Sequence, residues 1–192
     1  MSKPAARPPA HEIRLIGGRW KRTKLPVPDL PGLRPTLDRV RETLFNWLGQ
    51  DLSGWRCLDA FAGTGALGLE AASRGAQHVM LLERDPRLVQ QLRAVLQRLQ
   101  GAEAVQVVCT DALAWMRRCE PQRFDLVFLD PPFAAGLFGP ALREAVRLVP
   151  PGGWIYLESA DAEPIDLEGL GLEVWREQTG GAVGFRLLRR LH

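Results

Sequence analysis

From Trp55 onwards the chain alternates short apolar runs with amphipathic segments, and this alternation limits the fold more than any other feature. The apolar runs have the length of buried strands, and the segments between them carry apolar residues at helical spacing. Four or five strand–helix units in series predict an α/β fold with a parallel, doubly wound sheet and right-handed crossovers. The predicted strands are Trp55–Phe61, His78–Leu82, Val105–Cys109, Phe124–Leu129 and Trp154–Glu158. The predicted helices between them are 66–74, 86–100, 111–118 and 137–148.

Two more strands are predicted near the C-terminus, over Leu172–Trp175 and Val183–Leu188, with Gly180-Gly181 between them. An antiparallel edge pair of this kind can close the sheet. The expected architecture is therefore a mostly parallel, seven-stranded sheet.

The N-terminal part of the chain has a different pattern. A hairpin is predicted over Ile13–Leu25, with Gly17-Gly18 supplying the positive φ of a tight turn. A proline-rich connector follows, and Thr36 is a plausible N-cap for a helix over Leu37–Leu48. We expect a flexible tail over 1–12, a basic hairpin and helix over 13–50 that pack on the core, and a single domain over 51–192.

The positive charge of the chain is concentrated at its N-terminal end. Residues 1–50 hold ten basic and four acidic side chains, whereas the remaining 142 hold 15 basic and 18 acidic ones. Such a basic footprint is typical of proteins that bind a polyanion, although it can also be a solvated surface. Trp20 lies among cations, which suits stacking on RNA bases, but it could equally anchor the hairpin to the domain. The candidate RNA-binding residues are Arg14, Arg19, Trp20, Lys21, Arg22, Lys24, Arg34, Arg39 and Arg41.

Composition excludes several other classes of protein. Three cysteines without a C-x-x-C spacing argue against a disulfide framework or a zinc site, and they fit a reducing cytoplasm. No apolar run reaches the roughly 18 residues of a membrane span, and the N-terminus lacks the apolar region of a secretory signal. We therefore expect a cytoplasmic protein without a metal site, and no feature requires more than a monomer.

A glycine-rich segment, Gly63–Gly68, follows the first predicted strand of the main domain and precedes a helix. It matches the G-x-G-x-x-G pattern of adenosine cofactor sites. Glu83 lies 20 positions after Gly63 at the end of the next strand, where a carboxylate can bind ribose hydroxyls. Taken alone, this pattern fits a nicotinamide dinucleotide as well as any other adenosine cofactor.

Two further carboxylates favour a different cofactor. Asp59 would repel a pyrophosphate but could hold an ammonium group, and Asp111 is placed to accept the amino group of an adenine. The pattern predicts an adenosine with a cationic amino-acid tail, which is S-adenosylmethionine. The candidate cofactor-binding residues are Asp59, Ala60, Phe61, Gly63, Thr64, Gly65, Glu83, Arg84, Asp111 and Ala112.

Asp130-Pro131-Pro132-Phe133 follows the fourth strand of the main domain and forms the candidate catalytic motif. The prolines take the backbone out of the sheet, which leaves a carboxylate and a carbonyl to accept N–H groups. Phe133 can stack on the ring that carries the amine. The alternative for this tetrapeptide is a strand end followed by an ordinary turn.

These motifs together resemble the class I methyltransferases that modify exocyclic amines. The segments 14–18 and 33–47 are similar to those of the RsmD family of 16S rRNA guanine-N2 methyltransferases. The resemblance implies a Rossmann-like methyltransferase domain over 51–192, with S-adenosylmethionine as cofactor. It also implies methylation of one guanine, position 966, in 16S rRNA of the small ribosomal subunit or its assembly intermediate.

Three alternatives stay open at this point. An N6-adenine methyltransferase acting on DNA or RNA would use the same crevice. An NAD-dependent oxidoreductase is compatible with the glycine-rich segment but not with Asp59 and the two prolines. A non-catalytic RNA-binding protein with a vestigial cofactor fold is the third alternative.

Overall fold

The computed structural model describes residues 12–27, 38–132, 136–160, 166–180 and 183–192. Its elements are β1 (Glu12–Arg14), β2 (Lys24–Pro26), α1 (Asp38–Leu48), β3 (Arg56–Asp59), α2 (Ala66–Ser73), β4 (His78–Glu83), α3 (Pro86–Arg98), β5 (Val105–Cys109), α4 (Ala112–Arg118), β6 (Leu126–Leu129), α5 (Phe138–Leu148), β7 (Trp154–Ala160), β8 (Leu172–Gly180) and β9 (Val183–Arg190). Within these ranges, no helix is both long and apolar enough to cross a bilayer.

Seven strands form one sheet in the order β5-β4-β3-β6-β7-β9-β8. The pairs from β5 to β7 are parallel, and β9 runs antiparallel to both of its neighbours. This confirms the predicted α/β class and the antiparallel pair at the edge. Strand β3 lies between β4 and β6, so the strand order reverses there, and ligands in such sheets bind beyond the carboxyl ends at this point.

Alternating side chains divide the core into two layers. Cys57, Phe128 and Tyr156 face the layer that contains the N-terminal hairpin, α1, α2 and α3. Leu58, Val127 and Leu157 face the opposite layer, which contains α4 and α5. Because both faces are covered, the central strands are apolar along their whole length, as expected for parallel strands.

The boundaries differ from the predictions by a few residues. Strand β3 ends at Asp59, two residues early, because the chain turns there into the glycine-rich loop. Strand β6 starts at Leu126, and α3 ends two residues earlier than predicted. Helix α1 agrees with the predicted helix from Asp38 onwards, while its predicted first residue and the N-cap Thr36 lie outside the described residues.

The role of Gly17-Gly18 as a two-residue hairpin turn was predicted wrongly. Strands β1 and β2 pair only over residues 12–14 and 24–26, and residues 15–23 form the connection. Gly18 has a φ of 69°, and a Cβ there would lie 1.8 Å from the carbonyl oxygen of Ser73. The glycine is therefore required for close packing of the connection against the C-terminal end of α2.

A buried carboxylate, Glu70 of α2, attaches the N-terminal segment to the domain. It accepts the backbone N–H groups of Ile16 at 2.9 Å and Gly17 at 2.7 Å. It also pairs with Arg74 at 2.9 Å and with Arg41 of α1 at 3.5 Å. The side chains of Glu70 and Arg41 have no exposed surface, so this cluster excludes water.

We expect Glu70→Ala to lower the free energy of unfolding by about 3–5 kcal/mol. The variant takes the carboxylate partner from Arg74, leaves the buried Arg41 with only Asp38 among the described carboxylates, and removes the acceptor of two backbone N–H groups. Urea unfolding followed by circular dichroism measures this loss. Glu168→Ala removes an exposed carboxylate and should change the value by less than about 0.5 kcal/mol. Equal unfolding midpoints for the two variants would contradict the role of Glu70 in attaching the N-terminal segment to the domain.

Candidate cofactor and substrate site

The strand order brings the four predicted acids to one edge of the sheet. Asp59 and Glu83 end their strands, Asp130 directly follows β6, and Asp111 comes two residues after β5. Along the edge they lie in the order Asp111, Glu83, Asp59, Asp130. Three strand spacings separate the first from the last, which is about 14 Å. This length suits an extended adenosine with an amino-acid tail.

The carboxylate of Asp59 is buried beneath the glycine-rich loop. Its Oδ2 accepts the backbone N–H of Gly68 at 2.9 Å. Burial raises the pKa of Asp59 to about 7, and the nearby charge of Glu83 acts in the same direction, whereas backbone N–H groups of Gly68 and Phe61 oppose the rise. A cation bound beside this carboxylate would stabilise its charged form, so the site favours an ammonium group and disfavours a pyrophosphate.

Gly68 allows the first turn of α2 to lie directly on the sheet. A Cβ at this position would lie 2.2 Å from Leu81 and 3.1 Å from the Cβ of Asp59. The third glycine of the motif therefore serves close packing between helix and strand, as the pattern predicts.

Glu83 fixes the loop above it. Its carboxylate accepts the backbone N–H of Gly63 at 2.9 Å and that of Asp85 at 2.8 Å, and the residue is half-buried. A carboxylate offers about four acceptor positions, so ribose hydroxyls can still be bound. Asp111 is exposed and caps α4, because its Oδ1 accepts the N–H of Ala114 at 2.8 Å.

The other predicted cofactor residues lie around these acids. Ala60, Thr64, Gly65 and Ala112 are buried, Phe61 and Gly63 are half-buried, and Arg84 is exposed next to Glu83. The set combines acceptors for a ribose, an ammonium and an adenine amine with a loop that only small residues can form. It therefore fits S-adenosylmethionine.

The candidate catalytic motif begins where β6 ends. Asp130 is half-buried, Pro131 is buried and Pro132 is exposed, while Phe133 lies outside the described residues. Tyr156 on the neighbouring strand is close to Asp130. Burial raises the pKa of the Tyr156 phenol well above its usual value, and the charges of Glu158 and Asp130 add to this effect. The hydroxyl therefore remains a hydrogen-bond donor.

Six of the predicted RNA-binding residues present exposed side chains: Arg14, Arg19, Lys21, Arg22, Lys24 and Arg39. Two residues of that set require correction. Trp20 is buried, with its indole N–H donating to the carbonyl of Gln100 at 2.8 Å, so it anchors the connection and cannot stack on a base. Arg41 is fully buried in the Glu70 cluster and cannot reach a phosphate. Arg34 lies outside the described residues.

Sequence reasoning missed three polar residues in the layer that faces α1, α2 and α3. Glu70 had a signal, since it is the only charged residue in the otherwise small and apolar sequence of α2. The sequence also offered a signal for Tyr156 and Glu158. Both lie in the carboxyl-terminal part of β7, the strand that follows the candidate catalytic motif in the chain. The hydroxyl of Tyr156 donates to Oε2 of Glu158 at 3.1 Å.

The chain matches the family model described as conserved hypothetical protein 95 over residues 13–189. It is 44% identical over 185 residues to the ribosomal RNA small subunit methyltransferase D of Escherichia coli K12. The matched region covers 93% of this chain and 90% of that protein. The protein of the same name from Haemophilus influenzae is 41% identical, with 92% and 93% covered.

Solved structures show the same relationship. A chain from Escherichia coli described as a methyltransferase, yhhF, superposes with a TM-score of 0.83 at 38% identity, covering 94% of this chain and 99% of that one. A chain from Haemophilus influenzae described as a methylase gives a TM-score of 0.78 at 37% identity, with 95% and 100% covered.

Asp59→Asn should change how stability depends on pH. The folded protein keeps a proton on Asp59 up to about pH 7, whereas the unfolded chain releases it near the ordinary aspartate pKa of 3.8. This group therefore lowers wild-type stability as the pH rises from about 4 to about 7. Relative to the wild type, we expect the free energy of unfolding of Asp59→Asn to rise by on the order of 3 kcal/mol across this window.

Urea unfolding at about pH 4 and about pH 8 measures how the free energy of unfolding changes with pH in the wild type and in the variant. Asp85→Asn is the control, because hydrogen bonds from Arg87 hold the pKa of the Asp85 carboxyl at about 2, below the window. The free energy of unfolding of Asp85→Asn should fall with rising pH as it does in the wild type. Parallel profiles for the wild type and Asp59→Asn would show that Asp59 carries its charge throughout.

Proposed function

The chain belongs to the conserved hypothetical protein 95 family, the RsmD family of methyltransferases, and from this premise we propose that it transfers a methyl group from S-adenosylmethionine to the N2 amine of a guanine in 16S rRNA. The observation that carries the proposal is the position of Asp130 and Pro131 beside the strand of Asp59. Amine acceptors and the expected ammonium site thus lie on neighbouring strands, at the switch point of the sheet.

Asp130 and the carbonyl of Pro131 are proposed to accept the two hydrogens of the guanine amine. The lone pair of this amine is delocalised into the ring, and two acceptors on its hydrogens would direct it towards the methyl group. The amine becomes acidic only as the new bond forms, so Asp130 or water can take the proton. Most of the rate acceleration then comes from alignment of the reacting atoms.

The cofactor supplies an activated methyl group on a sulfonium. Asp59 and the loop over Gly63–Gly65 would hold its amino-acid part, Glu83 its ribose and Asp111 its adenine amine. Phe133 is proposed to stack on the target base, which has to leave any helical stack before it can enter the crevice.

The basic N-terminal segment would hold the RNA. Helix α1 lies on the layer that Asp59 and Asp130 face, since Phe45 packs on Phe128 at 6.2 Å and Trp47 on Phe185 at 5.3 Å between ring centroids. RNA bound along this segment can therefore deliver a base to the crevice without crossing the sheet. The proposed partner is 16S rRNA in the small subunit or its assembly intermediate, with the protein acting as a cytoplasmic monomer.

An N6-adenine methyltransferase is the second candidate, because an adenine amine could use the same two acceptors. The curated relatives named above carry names that refer to small-subunit rRNA, which favours the first candidate. Mapping the methylated base after incubation with small-subunit particles separates the two.

Asp130→Ala should lower the rate of methyl transfer roughly 10²-fold or more, the scale of losing one preorganised polar contact in a transition state. Binding of S-adenosylmethionine, measured by calorimetry, should stay near the wild-type value. Asp166→Ala removes an exposed carboxylate and serves as the matched control. Wild-type turnover by Asp130→Ala would exclude the proposed role.

Replacement of Arg19, Lys21 and Arg22 by Gln should weaken RNA binding and flatten its dependence on salt. Each lost phosphate contact lowers the slope of log K against log salt by roughly 0.7–0.9. Replacement of Arg117, Arg118 and Arg123, exposed cations on or beside α4, removes the same charge from the opposite layer and should have little effect. If both triple variants bind alike, the N-terminal segment is not the RNA-binding surface.

A further inference from the structure

Glu158 lies beside Asp130 at the carboxyl edge of the sheet. Strands β6 and β7 are parallel, with Phe128 opposite Tyr156 and Leu129 opposite Leu157. Asp130 and Glu158 directly follow this last pair, Asp130 just beyond the end of β6, and the charges of both act on the phenol of Tyr156. They follow Phe128 and Tyr156 by two positions, so their side chains face the same layer. Neighbouring strands are about 4.8 Å apart, which is close enough for one planar base to reach both carboxylates.

Tyr156 holds Glu158 in place. Its hydroxyl donates to Oε2 of Glu158 at 3.1 Å, and its ring is fixed by Phe128 at 6.2 Å and Phe185 at 6.5 Å between centroids. Phe185 lies directly opposite Glu158 on β9. A half-buried carboxylate that is oriented by a buried phenol is pre-organised to accept further hydrogen bonds, because it has about four acceptor positions.

We propose that Glu158 is a specificity residue that accepts the N1–H of the target guanine while Asp130 accepts its N2 amine; this inference rests on the function proposed above. Guanine presents N1–H and the N2 amine side by side on its Watson–Crick edge. Two adjacent carboxylates match this pair of donors. Adenine presents its N6 amine next to N1, which carries a lone pair and no hydrogen.

This difference explains how the motif at Asp130 can serve one base and reject the other. With adenine, the N1 lone pair would face the carboxylate of Glu158, and a partly buried acceptor would lose its donor. Sites that hydrogen-bond a substrate N–H reject analogues that lack it much more strongly than apolar pockets reject a change in size. Tyr156 is then a positioning residue that acts through Glu158.

The test uses 2-aminopurine, which keeps the N2 amine but has an unprotonated N1. Small-subunit particles are reconstituted with 16S rRNA that carries either guanine or 2-aminopurine at the methylated position. The rate of methyl transfer is measured for the wild type, Glu158→Gln, Tyr156→Phe and the exposed control Glu168→Gln. Calorimetry with S-adenosylmethionine and circular dichroism show that each variant is folded and binds the cofactor.

We expect the wild type and Glu168→Gln to prefer guanine over 2-aminopurine by roughly 10- to 100-fold, the effect of losing one hydrogen bond to a charged group. Glu158→Gln should reduce this preference to within a few-fold or invert it, because the amide N–H can donate to the unprotonated N1. Tyr156→Phe should lower the rate on guanine more than the rate on 2-aminopurine.

An unchanged preference in Glu158→Gln, or an equal loss on both substrates, would overturn the role of Glu158 while leaving the proposed function intact. Absence of methyl transfer to guanine by the wild type would overturn the proposed function, and the role of Glu158 with it.

Discussion

A buried carboxylate persists in a protein only when cations and N–H groups surround it, and the arrangement around Glu70 depends on this constraint. The residue takes two backbone N–H groups from the connection after β1 and the charges of Arg41 and Arg74. Helix α2, which carries Glu70, also presents the N–H of Gly68 to Asp59. One helix thus fixes both the surface that is proposed to hold RNA and the carboxylate that is proposed to hold the cofactor.

The electrostatics of the crevice follow from the sheet topology. Parallel strands place their carboxyl ends at one edge, and four adjacent strands bring Asp111, Glu83, Asp59 and Asp130 to it. The crevice is acidic, whereas the surface of the N-terminal segment is basic. The proposed cofactor is cationic and the proposed substrate is polyanionic, so the two would be attracted to different parts of one molecule. Only the neutral target base would have to pass from one to the other.

The sequence predicted the elements that have a periodic pattern and the residues that lie at strand ends. The alternation of strands and helices, the antiparallel edge pair and the shared edge of the four acids all follow from local pattern and known topology rules. Residues whose role depends on distant partners could not be predicted in this way. Gly18 is determined by the carbonyl of Ser73, Trp20 by Gln100, and Arg41 by Glu70. In each case the partner is far away in sequence. Local pattern therefore suggested a hairpin turn at Gly18 and RNA contact at Trp20 and Arg41, where tertiary packing prevails.

The position of β9 has a consequence for the synthesis of the protein. This strand enters the sheet between β7 and β8, although both precede it in the chain. Strand β8 has no neighbour among the described strands other than β9, and Trp154 and Tyr156 of β7 gain their antiparallel partners only when β9 arrives. The sheet therefore remains incomplete until residue 190 has left the exit tunnel, and β7 keeps an open edge from the time it emerges until β9 pairs with it.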